Sequence, residues 1–170
     1  MAVNIVLTNQ KGGVGKTTTA GALAAGLVKQ GKKVLALDMD PQGNLGFSLG
    51  LNGNGDGTMY DMMKGRVDIR EAIVQTDYCD VIPSDISLSA GVLEFYGKRR
   101  ELLLKDALAN VQGDYDFVII DTPPALNILT VNAYAASDYL IVPMASEILS
   151  LVGLAQLKET VDSVRSSLNP

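Results

Sequence analysis

The sequence has no histidine, no tryptophan and a single cysteine, Cys79, among its 170 residues. Because histidine is absent, general acid–base chemistry near neutral pH would have to use a carboxylate or a bound substrate. One cysteine excludes a disulfide framework and a cysteine-ligated cluster within the chain, and we expect Cys79 to be a buried structural thiol. Apolar runs of the ~18 residues that span a bilayer are also lacking, and we find no signal peptide. These absences predict a cytoplasmic protein.

Basic charge and aromatic side chains are scarce as well. The formal net charge is −5, which gives no overall basic field to attract nucleic acid. Aromatic residues make up 5% of a chain that is 47% hydrophobic, so the core must consist mainly of alanine, leucine, valine and isoleucine. Such a core suits a parallel sheet covered by helices. We expect residues 1–170 to form a single domain that buries about 70% of its unfolded surface.

A glycine-rich segment lies near the N-terminus. Residues 10–18 read QKGGVGKTT, between an apolar run at residues 3–7 and a helix-favouring run at residues 18–30. A strand, a glycine loop and a helix in this order bind phosphate, because backbone N–H groups turn inward and the helix adds its positive end. Lys16 would then contact the β- and γ-phosphates, and Thr17 would ligate Mg²⁺. A plain turn between strand and helix would not need this Gly-Lys-Thr sequence.

A dinucleotide-binding loop is the competing interpretation of this segment. Its G-x-G-x-x-G fingerprint requires a third glycine where this chain has Thr18. Asp38 does end the next predicted strand, as a ribose-binding acid would. However, the pair Lys16 and Thr17 has no function in a dinucleotide site and two functions in a nucleoside triphosphate site. We therefore favour the triphosphate site.

Two buried strands are predicted to end in aspartates. Residues 34–37 and 117–120 are unbroken apolar runs, which are typical of strands buried on both faces. The first delivers Asp38 and Asp40, and the second delivers Asp121, to the carboxyl edge where open α/β sheets bind ligands. Asp121 would hold Mg²⁺ through water, and Asp38 or Asp40 would orient an attacking water. Phosphoryl transfer needs little more, since its catalysis is positioning and charge stabilisation.

The rest of the chain alternates helix and strand signals without an internal repeat. This alternation predicts an α/β fold with a mostly parallel, twisted sheet and helices on both faces. Met59, Met62 and Met63 are expected to fill the core rather than to form a partner surface. The glycine-rich segment 52–57 is expected to be a mobile surface loop. Two helices are predicted to begin at the capping pairs Thr58 with Asp61 and Asp68 with Glu71 and to run to residues 63 and 74. An amphipathic helix is predicted from Leu151 to Leu168. The remaining predicted elements are strands at 79–82 and 139–142 and helices at 87–95, 99–110 and 127–136.

Residues 11–17, KGGVGKT, resemble the deviant Walker A motif of the ParA/MinD group of P-loop ATPases. Gln10 stands where the usual motif has a glycine, and Lys11 adds a second lysine at the start of the loop. The resemblance covers essentially the whole chain. Three further segments carry it: residues 38–44, DMDPQGN, look like switch I, residues 121–124, DTPP, look like switch II, and residues 143–147, PMASE, with the helix after them, are similar to ParA and Soj chains.

The resemblance implies a P-loop NTPase fold and an ATPase that binds ATP with Mg²⁺, forms a homodimer on binding and hydrolyses ATP slowly. It also implies plasmid or chromosome partitioning with a ParB-type partner and non-specific DNA, in the nucleoid and not at a membrane. By position, Lys11 would reach the partner's nucleotide, Gly12 would permit close approach of two subunits, and Asp40 would position the attacking water. The implied site comprises Lys11, Gly12, Gly13, Val14, Gly15, Lys16, Thr17 and Thr18 around the nucleotide, Lys11, Lys16 and Asp40 in catalysis, and Thr17 with Asp121, the latter through water, at the metal.

Two other functions stay open. A MinD-type ATPase would bind a membrane through a C-terminal amphipathic helix, but the apolar stripe that begins at Leu151 fits packing on the sheet better. An ATP-gated binding module or transcriptional regulator would not depend on hydrolysis. Nitrogenase-type iron proteins share the loop but need two cluster cysteines per subunit, which Cys79 alone cannot supply.

Relatives in this family continue beyond the segment that matches residues 168–170. Their additional strands hold the adenine, and their additional basic residues contact DNA. We therefore expect this chain to be a fragment or a natural short form. In a fragment, one edge strand of the sheet would be uncovered and apolar on both faces, which predicts self-association.

Overall fold

A computed structural model describes residues 1–52, 56–145 and 148–169, with the side chains of all of these except residues 148–152. The strands are β1 (Val3–Leu7), β2 (Val34–Asp38), β3 (Val74–Gln75), β4 (Asp80–Ile82), β5 (Phe117–Asp121) and β6 (Tyr139–Ile141). The helices are α1 (Lys16–Lys29), α2 (Asn44–Ser48), α3 (Met59–Met63), α4 (Ile69–Ala72), α5 (Ser87–Glu94), α6 (Leu103–Leu108), α7 (Ile128–Ala135) and α8 (Ile148–Ser167).

These strands form one six-stranded sheet in the order β3-β4-β2-β5-β1-β6. Every pairing is parallel except that of β3 with β4. Asp121 at the end of β5 lies in register with Leu7 of β1 on one side and with Asp38 of β2 on the other. The carboxyl ends of the three central strands therefore meet at one edge, and the predicted α/β fold with a mostly parallel sheet is confirmed.

The central strands are buried because their side chains alternate between two apolar cores. All five residues of β2 and the last four of β5 are buried. On one face, Ala36 and Ile119 pack with Ala20 and Ala24 of α1. Helices cover both faces, as predicted, and the second core contains Leu35, Leu37, Val118 and Ile120 with Leu104 and Leu108 of α6, Leu129 of α7 and Leu157 of α8.

Both predicted capping pairs are formed. The Thr58 side chain accepts a hydrogen bond from the Asp61 backbone N–H at the start of α3, and Asp61 completes the capping box. Asp68 and Glu71 form the second box at the start of α4. These boxes satisfy backbone N–H groups that a first helical turn leaves without partners, so the local sequence is sufficient to place both helix starts.

The hairpin of β3 and β4 differs from the prediction. The second capped helix ends at Ala72 rather than at residue 74, because Val74 pairs antiparallel with Val81 at the edge of the sheet. The strand predicted at residues 79–82 begins at Asp80. A two-residue strand is too short to show the alternation from which strands are predicted.

Two helices also depart from the prediction. α6 is shorter than the predicted 99–110, and Leu102 at its N-cap position offers no polar side chain to cap the first turn. The sequence does not predict α2, because residues 41–44 are typical of a β-turn. In addition, the residue that caps α2 is Asp38, which lies outside the helix. The helix predicted at 127–136 is α7, and Asn127 caps it with Thr130.

The three methionines and the cysteine lie where we expect them. Met59, Met62 and Met63 are buried in the larger core. Cys79 is buried as well, and burial, with a smaller contribution from the charge of Asp80, raises the pKa of its thiol to about 12. The thiol is therefore protonated at neutral pH, as suits a structural residue.

The edge strand β6 leaves apolar side chains exposed. Tyr139 is 63% exposed and Ile141 is 37% exposed, whereas Leu140 between them packs against the core. α8 contributes Leu157 and Val164 to that core, which confirms that the amphipathic helix packs on the body of the protein. The exposed face of β6 is therefore apolar, whereas its other face is covered by the core.

Some predictions fall partly or wholly outside the described residues. These are the loop at 52–57, of which residues 53–55 are not described, the family segment at 143–147, of which residues 146 and 147 are not described, the side chain of Leu151, and Pro170. Among the helices of the described ranges, none combines the length and apolar character needed to cross a membrane.

Candidate functional site

The glycine loop leads directly into α1. Gly13 and Gly15 have φ angles of 73° and 90°, a left-handed region that glycine adopts without steric cost. Gly15 is the N-cap of α1 and has no side chain to cap it. The N–H groups of the first turn are therefore available to a ligand, and they carry the positive end of the helix dipole. This geometry favours an anion such as phosphate.

The lysine at the start of α1 points back into the loop. The Lys16 ammonium donates a hydrogen bond to the Lys11 carbonyl oxygen at 3.2 Å, and the residue is only 7% exposed. Burial lowers the pKa of Lys16, while the nearby charges of Asp121 and Asp40 act in the opposite direction. A cation held against a neutral carbonyl would gain a stronger, charge-assisted hydrogen bond from a phosphate oxygen.

Thr17 and Asp121 meet at the carboxyl edge of the sheet. The Thr17 hydroxyl donates to Asp121 Oδ2 at 2.6 Å. Asp121 Oδ1 is buried and has no hydrogen-bond partner among the described residues. Burial raises the pKa of Asp121 to about 6, with a further contribution from Asp40, although the bond from Thr17 opposes the shift.

This donor set fits Mg²⁺, which prefers oxygen ligands and keeps several waters. A buried carboxylate oxygen without a partner is rare in folded proteins and calls for a group that completes it. The described ranges contain no group of three or more acidic, histidine or cysteine side chains that could hold a metal by themselves. Mg²⁺ bound here would therefore use the hydroxyl of Thr17, water next to Asp121, and oxygens of a bound phosphate.

The two aspartates that follow β2 have different surroundings. Asp38 is fully buried, its Oδ1 accepts a hydrogen bond from the Asp40 N–H at 3.1 Å, and its Oδ2 accepts one from the Leu45 N–H at 2.9 Å. Burial and the neighbouring charge of Asp121 raise the pKa of Asp38 to about 7. Asp40 is partly exposed and lines the cavity beside the glycine loop. Of the two residues left open by the sequence, the geometry favours Asp40 for contact with a water.

The cavity beside the loop has a volume of about 290 Å³. Of the residues predicted for the site, Lys11, Val14, Asp38 and Asp121 do not line it. Asn44 and Pro124 are lining residues that the sequence prediction missed, although both lie in segments that look like the family's switches. The full lining is Gly12, Gly13, Gly15, Lys16, Thr17, Thr18, Asp40, Asn44 and Pro124.

Asn9 is a further residue that the sequence prediction missed. Its Oδ1 accepts a hydrogen bond from the Lys11 N–H at 2.9 Å, and its Nδ2 donates to the Pro143 carbonyl at 2.8 Å. Asn9 therefore ties the entrance of the glycine loop to the segment after β6. An asparagine that accepts from the N–H two residues later is a common turn signal, and this signal was present in the sequence.

Gly12 differs from the two other loop glycines that were predicted to bind the nucleotide. Its φ is not positive, and a Cβ atom built on it would meet nothing within 4 Å. The fold of the described chain therefore does not itself require glycine at position 12. A requirement for glycine there would have to come from a molecule outside the chain.

A larger cavity, of about 510 Å³, lies at the amino end of β6, away from the glycine loop. It is lined by residues around the start of β6 and the end of α8, among them Asp138, Tyr139 and Arg165. Parallel α/β sheets bind ligands at the carboxyl ends of their strands, and this cavity lies at the amino end of β6. We therefore assign the candidate site to the smaller cavity.

Comparisons with known proteins agree with this geometry. A family model described as an AAA domain matches residues 2–170. The chromosome partitioning protein ParA of Myxococcus xanthus is 44% identical over 170 residues, which cover 98% of this chain and 60% of that protein. The chromosome-partitioning ATPase Soj of Treponema pallidum is 44% identical over 172 residues, which cover 99% of this chain and 67% of that protein. The chain thus spans 60% to 67% of the length of these relatives.

The similarity extends to solved structures. The crystal structure of cobyrinic acid a,c-diamide synthase from Mycobacterium smegmatis, with bound ADP and magnesium, superposes with a TM-score of 0.93 and 40% sequence identity. The match covers 100% of this chain and 71% of that one. A protein with this fold and this degree of identity therefore holds both a nucleotide and magnesium.

Proposed function

Because the chain belongs to the ParA/Soj family of deviant Walker A P-loop ATPases, we propose that it is an ATP-dependent switch in DNA partitioning. It binds ATP with Mg²⁺, forms a homodimer in the bound state and hydrolyses ATP slowly. The name of the M. smegmatis protein denotes a different activity, so the partitioning role is supported by the two sequence relatives. We also propose that residues 1–170 act as one ATPase domain.

The convergence of Lys16, Thr17 and Asp121 carries this proposal. Lys16 would supply the cation for the β- and γ-phosphates, and the amides of residues 12–17 would donate hydrogen bonds to phosphate oxygens. Thr17 would hold Mg²⁺ directly and Asp121 would hold it through water, and the bound ion would neutralise the charge that develops on the phosphates. The remaining residues of the nucleotide-binding loop are Lys11, Gly12, Gly13, Val14, Gly15 and Thr18.

Asp40 is proposed to position the attacking water. Its partly exposed carboxylate lines the same cavity as Lys16 and Thr17, and the chain has no histidine that could take this role. Positioning of a water by one carboxylate is compatible with slow turnover, below the ~10 s⁻¹ median of enzymes, as suits a switch.

Dimer formation is proposed to bring Lys11 to the partner's nucleotide. Gly12 supports this proposal, since the chain's own fold leaves space for a side chain there and the close approach of a second subunit would not. Lys11 lies at the loop entrance, and its backbone N–H is held by Asn9. A lysine at the entrance does not have to fold back onto its own nucleotide.

The partners of the whole protein are proposed from the family, because the chain spans about two thirds of its relatives or less. They are a ParB-type protein and non-specific DNA, with a location in the cytoplasm at the nucleoid. A MinD-type membrane role is less well supported, since Leu157 and Val164 of α8 are buried in the core and are not available to lipid.

Nucleotide titration with and without Mg²⁺ tests the proposed site. A fluorescent ATP analogue should bind more tightly with Mg²⁺ than with EDTA, and Thr17→Ala should remove most of that difference. Thr160→Ala on α8 is the matched control, because the Thr160 hydroxyl donates to the Gln156 carbonyl of its own helix and Thr160 does not line the cavity beside the loop. Phosphate release then separates the ATPase from a regulator that binds ATP without hydrolysing it. Binding that is indifferent to Mg²⁺ in the wild type would contradict the assignment of Thr17 and Asp121.

A further inference from the structure

We propose that Asp38 is a positioning residue whose buried carboxylate holds residues 40–46 in place and thereby sets the position of Asp40 beside the phosphate cradle. The inference rests on the proposed function, because it assigns to Asp38 a role in the same hydrolysis. It differs from a role in contacting water, since Asp38 has no exposed surface.

The first contact supplies a cap that α2 lacks. Gly43 occupies the N-cap position of α2 with a φ of 67° and has no side chain that could cap the helix. An N-cap side chain normally accepts from the second and third N–H groups of the helix. Here those groups belong to Leu45 and Gly46, and both donate to Asp38 Oδ2, at 2.9 and 3.4 Å. A neighbouring strand therefore caps α2.

Gly43 could not be replaced by a residue that caps the helix itself. A Cβ atom at this position would lie 2.8 Å from the Ser84 carbonyl oxygen, and its φ is positive. A serine, asparagine or aspartate at position 43 would therefore be strained as well as crowded. The carboxylate of Asp38 is the acceptor that remains for this helix.

The second contact acts on Asp40 directly. Asp38 Oδ1 accepts a hydrogen bond from the Asp40 N–H at 3.1 Å, and the Asp40 carbonyl accepts one from the Gly43 N–H at 3.0 Å. Asp40 Oδ1 in turn accepts from the Gln42 N–H at 3.0 Å. The backbone on both sides of the Asp40 side chain is thus held, and Asp38 provides the link to the sheet.

Asp38 is itself held by the centre of the sheet. It ends β2 in register with Asp121 of β5, and the Met39 N–H donates to the Asp121 carbonyl at 2.9 Å. The segment that carries Asp40 is therefore fixed relative to the strand that carries the metal-site carboxylate. A misplacement of about 1 Å can cost on the order of a hundredfold in rate, so this link is expected to matter for turnover more than for binding.

Asp38→Asn tests the proposal because it preserves shape but replaces one acceptor oxygen with an NH₂ group. That group would face a backbone N–H, so either the Asp40 contact or the α2 contact is lost. We expect kcat to fall by about ten- to a hundredfold, with the Kd for Mg·ATP within about threefold. The matched control is Asp68→Asn, which changes a carboxylate that caps α4 far from the site and should leave both values unchanged.

A double-mutant cycle with Asp40→Ala separates positioning from general destabilisation. If Asp38 acts through Asp40, then Asp38→Asn lowers kcat in the wild type but causes little further loss in the Asp40→Ala background. Equal fractional losses in both backgrounds, or a loss of nucleotide affinity as large as the loss of kcat, would overturn the proposal.

Hydrogen exchange of the wild type provides a test that needs no folded variant. The amides of Asp40 and Leu45 should exchange as slowly as those of β2, because a buried carboxylate accepts from them. Exchange as fast as in exposed loops would overturn the proposal. A wild type that shows no ATP turnover would instead contradict the proposed function, and the exchange rates would still decide whether Asp38 holds this segment.

Discussion

The carboxyl edge of β1, β5 and β2 and the outer edge formed by β6 depart from the usual pattern in opposite ways. At the first edge, charged groups are buried: Lys16, Asp38 and Asp121 are each less than a tenth exposed. At the second, apolar groups are exposed, and Tyr139 and Ile141 face away from the core. Folded proteins usually bury apolar side chains and expose charges.

The two departures indicate two kinds of binding partner. Buried charges beside a glycine loop and an unpartnered carboxylate oxygen call for a charged ligand, here a phosphate with Mg²⁺. Exposed apolar side chains on an edge strand favour association with another protein surface, since such edges readily pair with another strand. The predictions below test each edge separately, in order of decreasing expected effect.

Asp40→Ala should have the largest effect, and on turnover alone. Positioned acid–base residues typically contribute about 10²- to 10⁴-fold, so kcat should fall by at least about a hundredfold. Binding of Mg·ATP should be retained, because Lys16, Thr17 and the loop amides are unchanged. Phosphate release and analogue titration measure the two quantities. Asp162→Ala on α8 is a control of equal charge change, and unchanged turnover in Asp40→Ala would remove Asp40 from the mechanism.

The two loop lysines should give contrasting losses. Lys16→Ala removes a charge-assisted contact from a buried site, worth on the order of 1.5–3 kcal/mol, and should weaken ATP binding by roughly ten- to a hundredfold. Lys11→Ala should leave the ATP affinity of the monomer within a few-fold, yet abolish ATP-dependent dimerisation and any hydrolysis that a partner stimulates. Lys29→Ala, at the far end of the same helix, should change neither.

Analogue titration and sedimentation with a slowly hydrolysed ATP analogue measure these effects. If Lys11→Ala loses nucleotide as strongly as Lys16→Ala and still dimerises, Lys11 does not act on the partner subunit. The loop would then be an ordinary P-loop with an extra lysine.

Much of the carboxyl edge could be predicted because its signals are local in the sequence. The glycine loop, the apolar run of β5 and the terminal Asp121 are each contiguous, and parallel strands bring their carboxyl ends together. The residues alone left both Asp38 and Asp40 open, and Asp40 was preferred through the family resemblance. Their different surroundings could not be predicted, since they depend on the hydrogen bond from the Leu45 N–H, seven residues further on, to Asp38.

Other features were missed for the same reason. α2 depends on a cap from β2 rather than on its own N-cap residue, so its start has no local signal. β3 consists of two residues that pair with β4. The contact of Asn9 with Pro143 is likewise distant in the sequence, although the turn that Asn9 forms with Lys11 has a local signal. Each of these contacts exists only after the sheet has formed, and a pattern read along the chain does not contain it.

The stability of the ligand-free protein should decrease as the pH rises. Burial raises the pKa of Asp38 to about 7 and that of Asp121 to about 6, from 3.8 for an ordinary aspartate. At a pH between 3.8 and the raised pKa of each group, the folded state holds a proton that the unfolded state has released. The free energy of unfolding therefore falls as the pH rises through this range. The slope is at most about 1.4 kcal/mol per pH unit for each group.

Urea unfolding at pH 5.5 and pH 8 measures this dependence. Asp38→Asn should reduce the difference between the two pH values, because one of the two titrating groups is removed. Saturating Mg·ATP should reduce it as well, since a bound cation favours the ionised carboxylates. A free energy of unfolding that rises from pH 5.5 to pH 8 would contradict the assignment of buried carboxylates with raised pKa values at this edge.

The smallest effect on stability is expected at the outer edge, from Tyr139→Lys. Tyr139 is largely exposed, so its replacement should change the free energy of unfolding by less than about 0.5 kcal/mol. Self-association of the 170-residue chain should nevertheless decrease, because lysine on an edge strand discourages pairing with another strand. Tyr96→Lys is the matched control, since Tyr96 is also exposed but lies outside the sheet. Light scattering as a function of protein concentration compares the three proteins. An equal decrease in Tyr96→Lys would assign the effect to net charge rather than to the edge, and a wild type that stays monomeric throughout would show that β6 does not drive association.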